Sequence, residues 1–114
     1  MADCLFCGIV DGKIKANLVY QDEAVLAFKD IAPKAPVHIL IIPRKHIVSV
    51  LDIEASDGGM IGRIFQVAGR LAREQGVAES GFRVVVNSGA DAGQSVFHLH
   101  YHLLGGRHMA WPPG

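Results

Sequence analysis

Apolar residues recur along this chain with two different periods. Over 57–75, Met60, Ile61, Ile64, Phe65, Val67, Ala68, Leu71 and Ala72 fall on one wide arc at about 3.6 residues per turn, with Arg63, Gln66, Arg70, Arg73 and Glu74 opposite. The pattern predicts one long helix, capped by Ser56 or Asp57 and stopped by Gly76. Gly58, Gly62 and Gly69 form a stripe at the border of the arc. Each glycine costs a helix about 1 kcal/mol against alanine, so the stripe marks either drift or the close approach of another backbone, such as a second subunit.

The remaining apolar runs are short and β-prone. Residues 18–21 and 25–28 read as a hairpin around Asp22-Glu23-Ala24. Pro33 and Pro36 punctuate a loop, and 38–42 forms a strongly apolar strand that stops at Pro43. Strands are also predicted over 82–87, with Val84 to Val86 at its centre, and over 98–104, ended by Gly105-Gly106. The tail Trp111-Pro112-Pro113-Gly114 is too proline-rich for regular structure. Mostly antiparallel strands with one long helix make an α+β fold, and residues 1–114 read as a single domain without repeats or linkers.

Composition adds exclusions. Half of the 114 residues are hydrophobic, which disfavours disorder. Lys plus Arg and Asp plus Glu are both 11, so no net field exists to hold long nucleic acid. No apolar run has membrane-spanning length and no signal-peptide pattern is present, so a soluble cytoplasmic protein is expected. Cys4 and Cys7 form a C-x-x-C, a spacing that in a reducing compartment suggests metal or redox chemistry.

The densest chemistry lies in His98-Leu99-His100-Tyr101-His102. In a strand, alternate side chains share a face at a separation of about 6.6 Å, so the three imidazoles would line one face while Leu99, Tyr101 and Leu103 anchor the other. Burial and mutual repulsion push such imidazoles toward the neutral form. A neutral imidazole carries a free lone pair and is a competent nucleophile, and its neighbours can orient it or donate protons. The preceding loop offers a phosphate cradle: Gly93 for close backbone approach, the Ser95 hydroxyl and, at the end of the neighbouring strand, the Asn87 amide. The combination points to a phosphorus electrophile held by neutral donors and attacked by histidine.

These residues resemble a known family. His98 to Leu104 is similar to the H-φ-H-φ-H-φ-φ signature of the histidine-triad (HIT) superfamily. The flanks Phe28-Lys29-Asp30-Ile31, Ala35-Pro36-Val37-His38, Ile42-Pro43-Arg44-Lys45-His46, Val86-Asn87, Gly93-Gln94-Ser95, Gly105-Gly106-Arg107 and the terminal W-P-P-G resemble its Hint branch, the histidine-triad nucleotide-binding proteins. The resemblance implies a five-strand antiparallel sheet with a long helix and a short N-terminal helix, assembled as a homodimer. It implies an adenosine 5′-monophosphoramidase type of hydrolase that cleaves the P–N bond of purine nucleotide amides or AMP-lysine conjugates.

Carried over by motif position, His100 would be the nucleophile and form a nucleotidyl-histidine intermediate. His102 would contact the phosphate or assist proton transfer, and His38 would orient His100 from the adjacent strand. Asn87, Gly93 and Ser95 would hold the phosphate, and Asp30 would accept from the ribose hydroxyls. Phe6, Ile9, Ile14, Phe28 and Ile31 would line the base pocket, although plain core packing explains such residues equally well. The cysteines are similar to those of bacterial members, and that likeness implies a structural zinc on Cys4, Cys7, His46 and His98, away from the reacting phosphate. No organic cofactor is expected. Lys29 stands where family members often have histidine, which leaves base preference open. Alternative readings are a dinucleoside polyphosphate hydrolase, a non-catalytic nucleotide-binding regulator, and a plain zinc-binding module.

Overall fold

A computed structural model describes residues 3–114. In chain order it contains α1 (Leu5–Val10), β1 (Leu18–Gln21), β2 (Val25–Lys29), β3 (Val37–Pro43), two 3₁₀ turns (Val50–Asp52 and Ala55–Asp57), α2 (Gly58–Glu74), β4 (Phe82–Val86) and β5 (Tyr101–Gly105). The strands form one antiparallel sheet in the order β1-β2-β3-β5-β4.

The β1–β2 hairpin is closed by Asp22, whose carboxylate accepts from the backbone N–H groups of Ala24 and Val25 at 2.8 and 2.9 Å. The Tyr20 hydroxyl and the Arg63 guanidinium donate to its other oxygen at 2.6 and 2.8 Å, which ties the turn to α2.

Strand alternation sorts the side chains onto two faces. Val25, Ala27, Ile39, Ile41, Tyr101 and Leu103 meet Ile64, Val67, Ala68, Leu71 and Ala72 of α2. This side carries the larger apolar core. On the other face Leu26, Phe28, Leu40 and Ile42 meet Phe6 and Ile9 of α1. The register Leu40↔His102 and His38↔Leu104 puts His38 and His102 on this second face, on neighbouring strands.

The predicted helix matches α2 to within a residue at each end, and Gly76 follows with φ of +75°, the left-handed conformation that glycine adopts without penalty. Three expectations are corrected. Asp57 makes no side-chain cap for α2; its carboxylate accepts from Glu54 N–H and from Lys45 Nζ, bracing the 3₁₀ turn instead. Phe65 lies on the apolar arc but is 52% exposed. The last strand begins at Tyr101 rather than His98. Before that point Leu99 N–H donates to Ile47 O at 2.6 Å and the ring of His98 bonds Pro43 O, so this stretch is held by bonds that are not part of the β3–β5 ladder.

A cavity beside the histidine cluster

Short bonds fix how the imidazoles are protonated. His100 Nδ1 lies 2.7 Å from His98 O. A carbonyl can only accept, so Nδ1 carries the hydrogen and Nε2 keeps the lone pair in the neutral ring. His38 Nδ1 accepts from Lys34 N–H at 3.0 Å, which puts the His38 hydrogen on Nε2. That Nε2 is 2.9 Å from His102 Nδ1 and 3.4 Å from Asp30 Oδ2. His102 therefore accepts at Nδ1 and carries its own hydrogen on Nε2. This Nε2 is buried and has no partner among the described residues, which suits it to donate to an acceptor on a bound ligand. The ring centroids of His100 and His102 stand 5.0 Å apart, edge to face.

The charges agree with these tautomers. Burial is the main force lowering the pKa of His102, with repulsion from His100 and His38 adding to it, and the ring is pushed down to about 4. Burial likewise lowers His38 against the opposing pull of Asp30. His98 is also lowered chiefly by burial. Neutral rings are what the accepting nitrogens of His38 and His102 require.

His100 and His102 line a cavity of about 410 Å³. Phe6, Ile9, Ile14, Phe28 and Ile31 supply its apolar half, and Asp30 and Ser95 lie on the same wall system. Phe6 meets His100 edge-on at 5.1 Å and Phe28 at 5.5 Å. The base-pocket candidates thus gather at one site, although Ile31 is 99% exposed at its rim.

Other candidates fall elsewhere. His38 is behind the wall and bonds His102, not His100; the residue whose backbone orients His100 is His98. Asn87 and Gly93 are not among the residues lining the cavity. Gly93 has φ of +87° and its N–H is taken by Ala90 O at 3.0 Å, so it shapes the loop and has no N–H left for an anion. The sequence reading gave Gln94 no role, yet it is buried and spans the loop: its amide nitrogen donates to Val48 O and Val96 O, and its oxygen accepts from Gly89 N–H. A glutamine between glycine and serine in a polar loop carries no signal of burial. Leu5, Lys15 and Val96 also line the cavity and were not anticipated.

Cys4, Cys7, His46 and His98 converge at the N-terminal end of α1, their candidate ligand atoms all within 4.8 Å of one another. Cys7 Sγ is 3.2 Å from His46 Nδ1 and 3.6 Å from His98 Nδ1, and Cys4 Sγ is 3.5 Å from His98 Nδ1. Tetrahedral zinc, with bonds of about 2.3 Å to sulfur and 2.0–2.1 Å to nitrogen, separates its S and N ligands by about 3.6 Å. His98 Nε2–H donates to Pro43 O at 2.8 Å, which leaves Nδ1 bare and facing the thiols. The four residues make a cluster compatible with zinc.

Among the described residues no helix is long and apolar enough to cross a membrane. The fold and sequence have close counterparts. A HIT family hydrolase from Legionella pneumophila superposes with a TM-score of 0.96 at 48% identity, covering 98% of this chain and all of that one. A HIT family hydrolase from Clostridium thermocellum gives 0.94 at 46% identity over 96% of each chain. An uncharacterized HIT-like protein of Synechococcus elongatus is 46% identical over 98% of this chain and 97% of its own length. The HIT domain family itself matches residues 11–109, and the chain belongs to that family.

Proposed function

We propose that this chain is a purine nucleoside phosphoramidase of the Hint branch, formed as one domain over 1–114 and hydrolysing the P–N bond of AMP- or GMP-amide substrates. One observation carries the reading: His100 presents a lone pair at Nε2 in its neutral form, and His102 presents a buried, unpartnered Nε2–H, at the wall of one largely apolar cavity that Asp30, Lys15 and Lys29 also line. The first suits attack on phosphorus, and the second suits a phosphoryl oxygen or a departing nitrogen. The likeness to proteins described as HIT family hydrolases supports hydrolysis.

In this reading the base enters between Phe6, Ile9, Ile14, Phe28 and Ile31, Asp30 accepts from the ribose, and the Ser95 hydroxyl meets the phosphate. His100 Nε2 bonds to phosphorus as the P–N bond breaks, and the amine leaves with a proton supplied by solvent at the open rim of the cavity, while His102 Nε2–H holds a phosphoryl oxygen. Its Nδ1–H stays on His98 O, which favours the positive ring of the nucleotidyl-histidine. Water then attacks phosphorus, the P–Nε2 bond breaks to free neutral His100, and the proton lost by the water passes to solvent, balancing the one the amine took. Asn87 and Gly93 do not line the cavity, and in this reading Gly93 shapes the loop that carries Ser95.

The Cys4, Cys7, His46 and His98 set fits a resident zinc that would hold the N-terminal segment against the sheet. The unpaired outer edge of β4, the exposed Phe65 and the glycines at 58 and 62, where an added Cβ would meet nothing within 4 Å, support a homodimer. A single dimer mass by light scattering at micromolar concentration is the expected result.

The test is a substrate panel of AMP and GMP phosphoramidates with diadenosine polyphosphate alongside. Turnover of the amides with little of the polyphosphate is expected. Preference for the polyphosphate, or turnover of neither, would overturn the assignment.

A further inference from the structure

The segment Cys4-Leu5-Phe6-Cys7 belongs to two sites at once. Its thiols face His46 and His98 in the Cys/His cluster, while Leu5 and Phe6, which lie between those thiols in sequence, line the cavity beside His100 and His102. Phe6 is 4% exposed and touches both sides: its ring stands 6.0 Å from His98, 5.1 Å from His100 and 5.5 Å from Phe28.

His98 is the second shared residue. Its side chain turns Nδ1 to the thiols, and its main-chain oxygen takes the hydrogen of His100 Nδ1. Any shift of His98 that follows its ring moves the acceptor that fixes the His100 tautomer.

The segment has little to hold it by itself. Helix α1 is six residues long, well short of the length at which a helix persists alone, and its N-cap bond is from Cys7 N–H to Cys4 Sγ. The Sγ···Nδ1 approaches of 3.2 to 3.6 Å are weak hydrogen bonds when the thiols are protonated. A cation on both thiolates and both imidazoles replaces those contacts with metal–ligand bonds.

We propose that the Cys/His cluster and the nucleotide cavity are coupled through Phe6 and the backbone of His98, so that a zinc-class cation and a purine nucleotide each raise the protein's affinity for the other. The proposal rests on the nucleotide reading of the cavity given above. A cation that orders Cys4 to Cys7 also orders the apolar wall, so the base meets a surface already in place. By linkage, a base that presses on Phe6 holds the thiols in ligating position to the same extent. The cluster is then not a remote staple, as the sequence suggested, but the back of the nucleotide wall.

The experiment uses the full wild-type chain and reads binding alone. Zinc affinity is measured by competition with a chromogenic chelator, with and without saturating AMP, and AMP affinity is measured calorimetrically on zinc-loaded and chelator-stripped protein. AMP should raise zinc affinity about fivefold or more, and zinc should raise AMP affinity by the same factor. A Phe6→Leu variant keeps all four ligands, so it should bind zinc as wild type does while that factor shrinks toward one. AMP that binds both forms equally, with the chelator midpoint unmoved, overturns the coupling and leaves the nucleotide reading standing. Failure of AMP to bind the zinc-loaded chain overturns both. A chain that takes up no zinc overturns the coupling alone.

Discussion

On the α2 face of the sheet, Ile39, Ile41, Tyr101 and Leu103 meet Ile64, Val67, Leu71 and Ala72, and apart from the Tyr101 hydroxyl nothing in that set can form a hydrogen bond with its side chain. On the α1 side, Leu40 and Phe28 share the space with His38, His100 and His102. Each imidazole there has its hydrogens assigned by a named partner, except the one on His102 Nε2. The two faces share the same strands and spend their side chains differently. One maximises apolar area. The other accepts buried polar atoms, which are costly unless paired, and leaves one of them unpaired beside a cavity. Stability and chemistry can thus be altered separately, one face at a time.

Replacing the central histidine should give the largest effect. His100→Ala removes the lone pair at the cavity wall and is expected to lower turnover of an AMP phosphoramidate by at least about 10⁴-fold. The core of the α2 face is untouched, so the melting temperature should stay within a few degrees and AMP should still bind. Steady-state kinetics with calorimetry checks this. Near-normal turnover would remove His100 from the mechanism.

The opposite face gives the converse. Leu71 is 1% exposed in the centre of the α2 core. Leu71→Ala should cost about 2–5 kcal/mol in denaturant unfolding through the lost transfer energy and the cavity left behind. At a temperature where the variant is folded, kcat/KM should match wild type. A large loss of kcat/KM in the folded variant would show that the faces are not independent.

How far the chain could be read without coordinates follows the same division. Helix α2 was legible because its apolar arc is continuous and Gly76 ends it. The buried alternation of Leu99, Tyr101 and Leu103 was legible too. The start of β5 was not, because His98 to His100 keep the alternation of a strand while bonding to Pro43, Ile47 and one another instead of to the ladder. The His38–His102 pair depends on the β3–β5 register, a long-range fact that no local pattern encodes. The spacing of Cys4 and Cys7 suggested a metal, but only the family likeness named His46 and His98 as partners. Gln94 was missed because its burial is created by the loop around it.

Acid should act on the α1 side before the α2 side. His102 titrates near 4 in the folded chain against about 6.5 when unfolded. Between those values the unfolded chain binds the proton and the folded chain does not, so stability is whole above about pH 6.5 and falls as the pH drops toward 4. The depressed pKa of His38 adds to the loss in the same direction. The melting temperature should therefore decline by several degrees over this window. In a His102→Asn variant the slope should be shallower. Equal slopes in the two proteins would detach the acid sensitivity from this ring.

Asp30 offers the smallest and most selective change. Its two oxygens have separate surroundings: Oδ1 accepts from Ala32 N–H at 2.8 Å and closes a turn, while Oδ2 faces His38 Nε2 at 3.4 Å. Asp30 also lines the cavity, so the second oxygen is the one available to a ribose. Asp30→Asn can keep the turn by leaving its carbonyl oxygen at the Oδ1 position. The amide group then replaces Oδ2, and a donor stands where the 2′ and 3′ hydroxyls need an acceptor. A hydrogen bond to a charged group contributes about 1.5–3 kcal/mol, so AMP affinity should fall by about tenfold to a hundredfold. For dAMP the loss should be smaller, because one of the two hydroxyls is already missing. The discriminating quantity is the ratio of the two losses, measured calorimetrically on protein whose melting temperature matches wild type. A ratio near one would leave Asp30 as a turn residue on the cavity rim and remove it from ribose recognition.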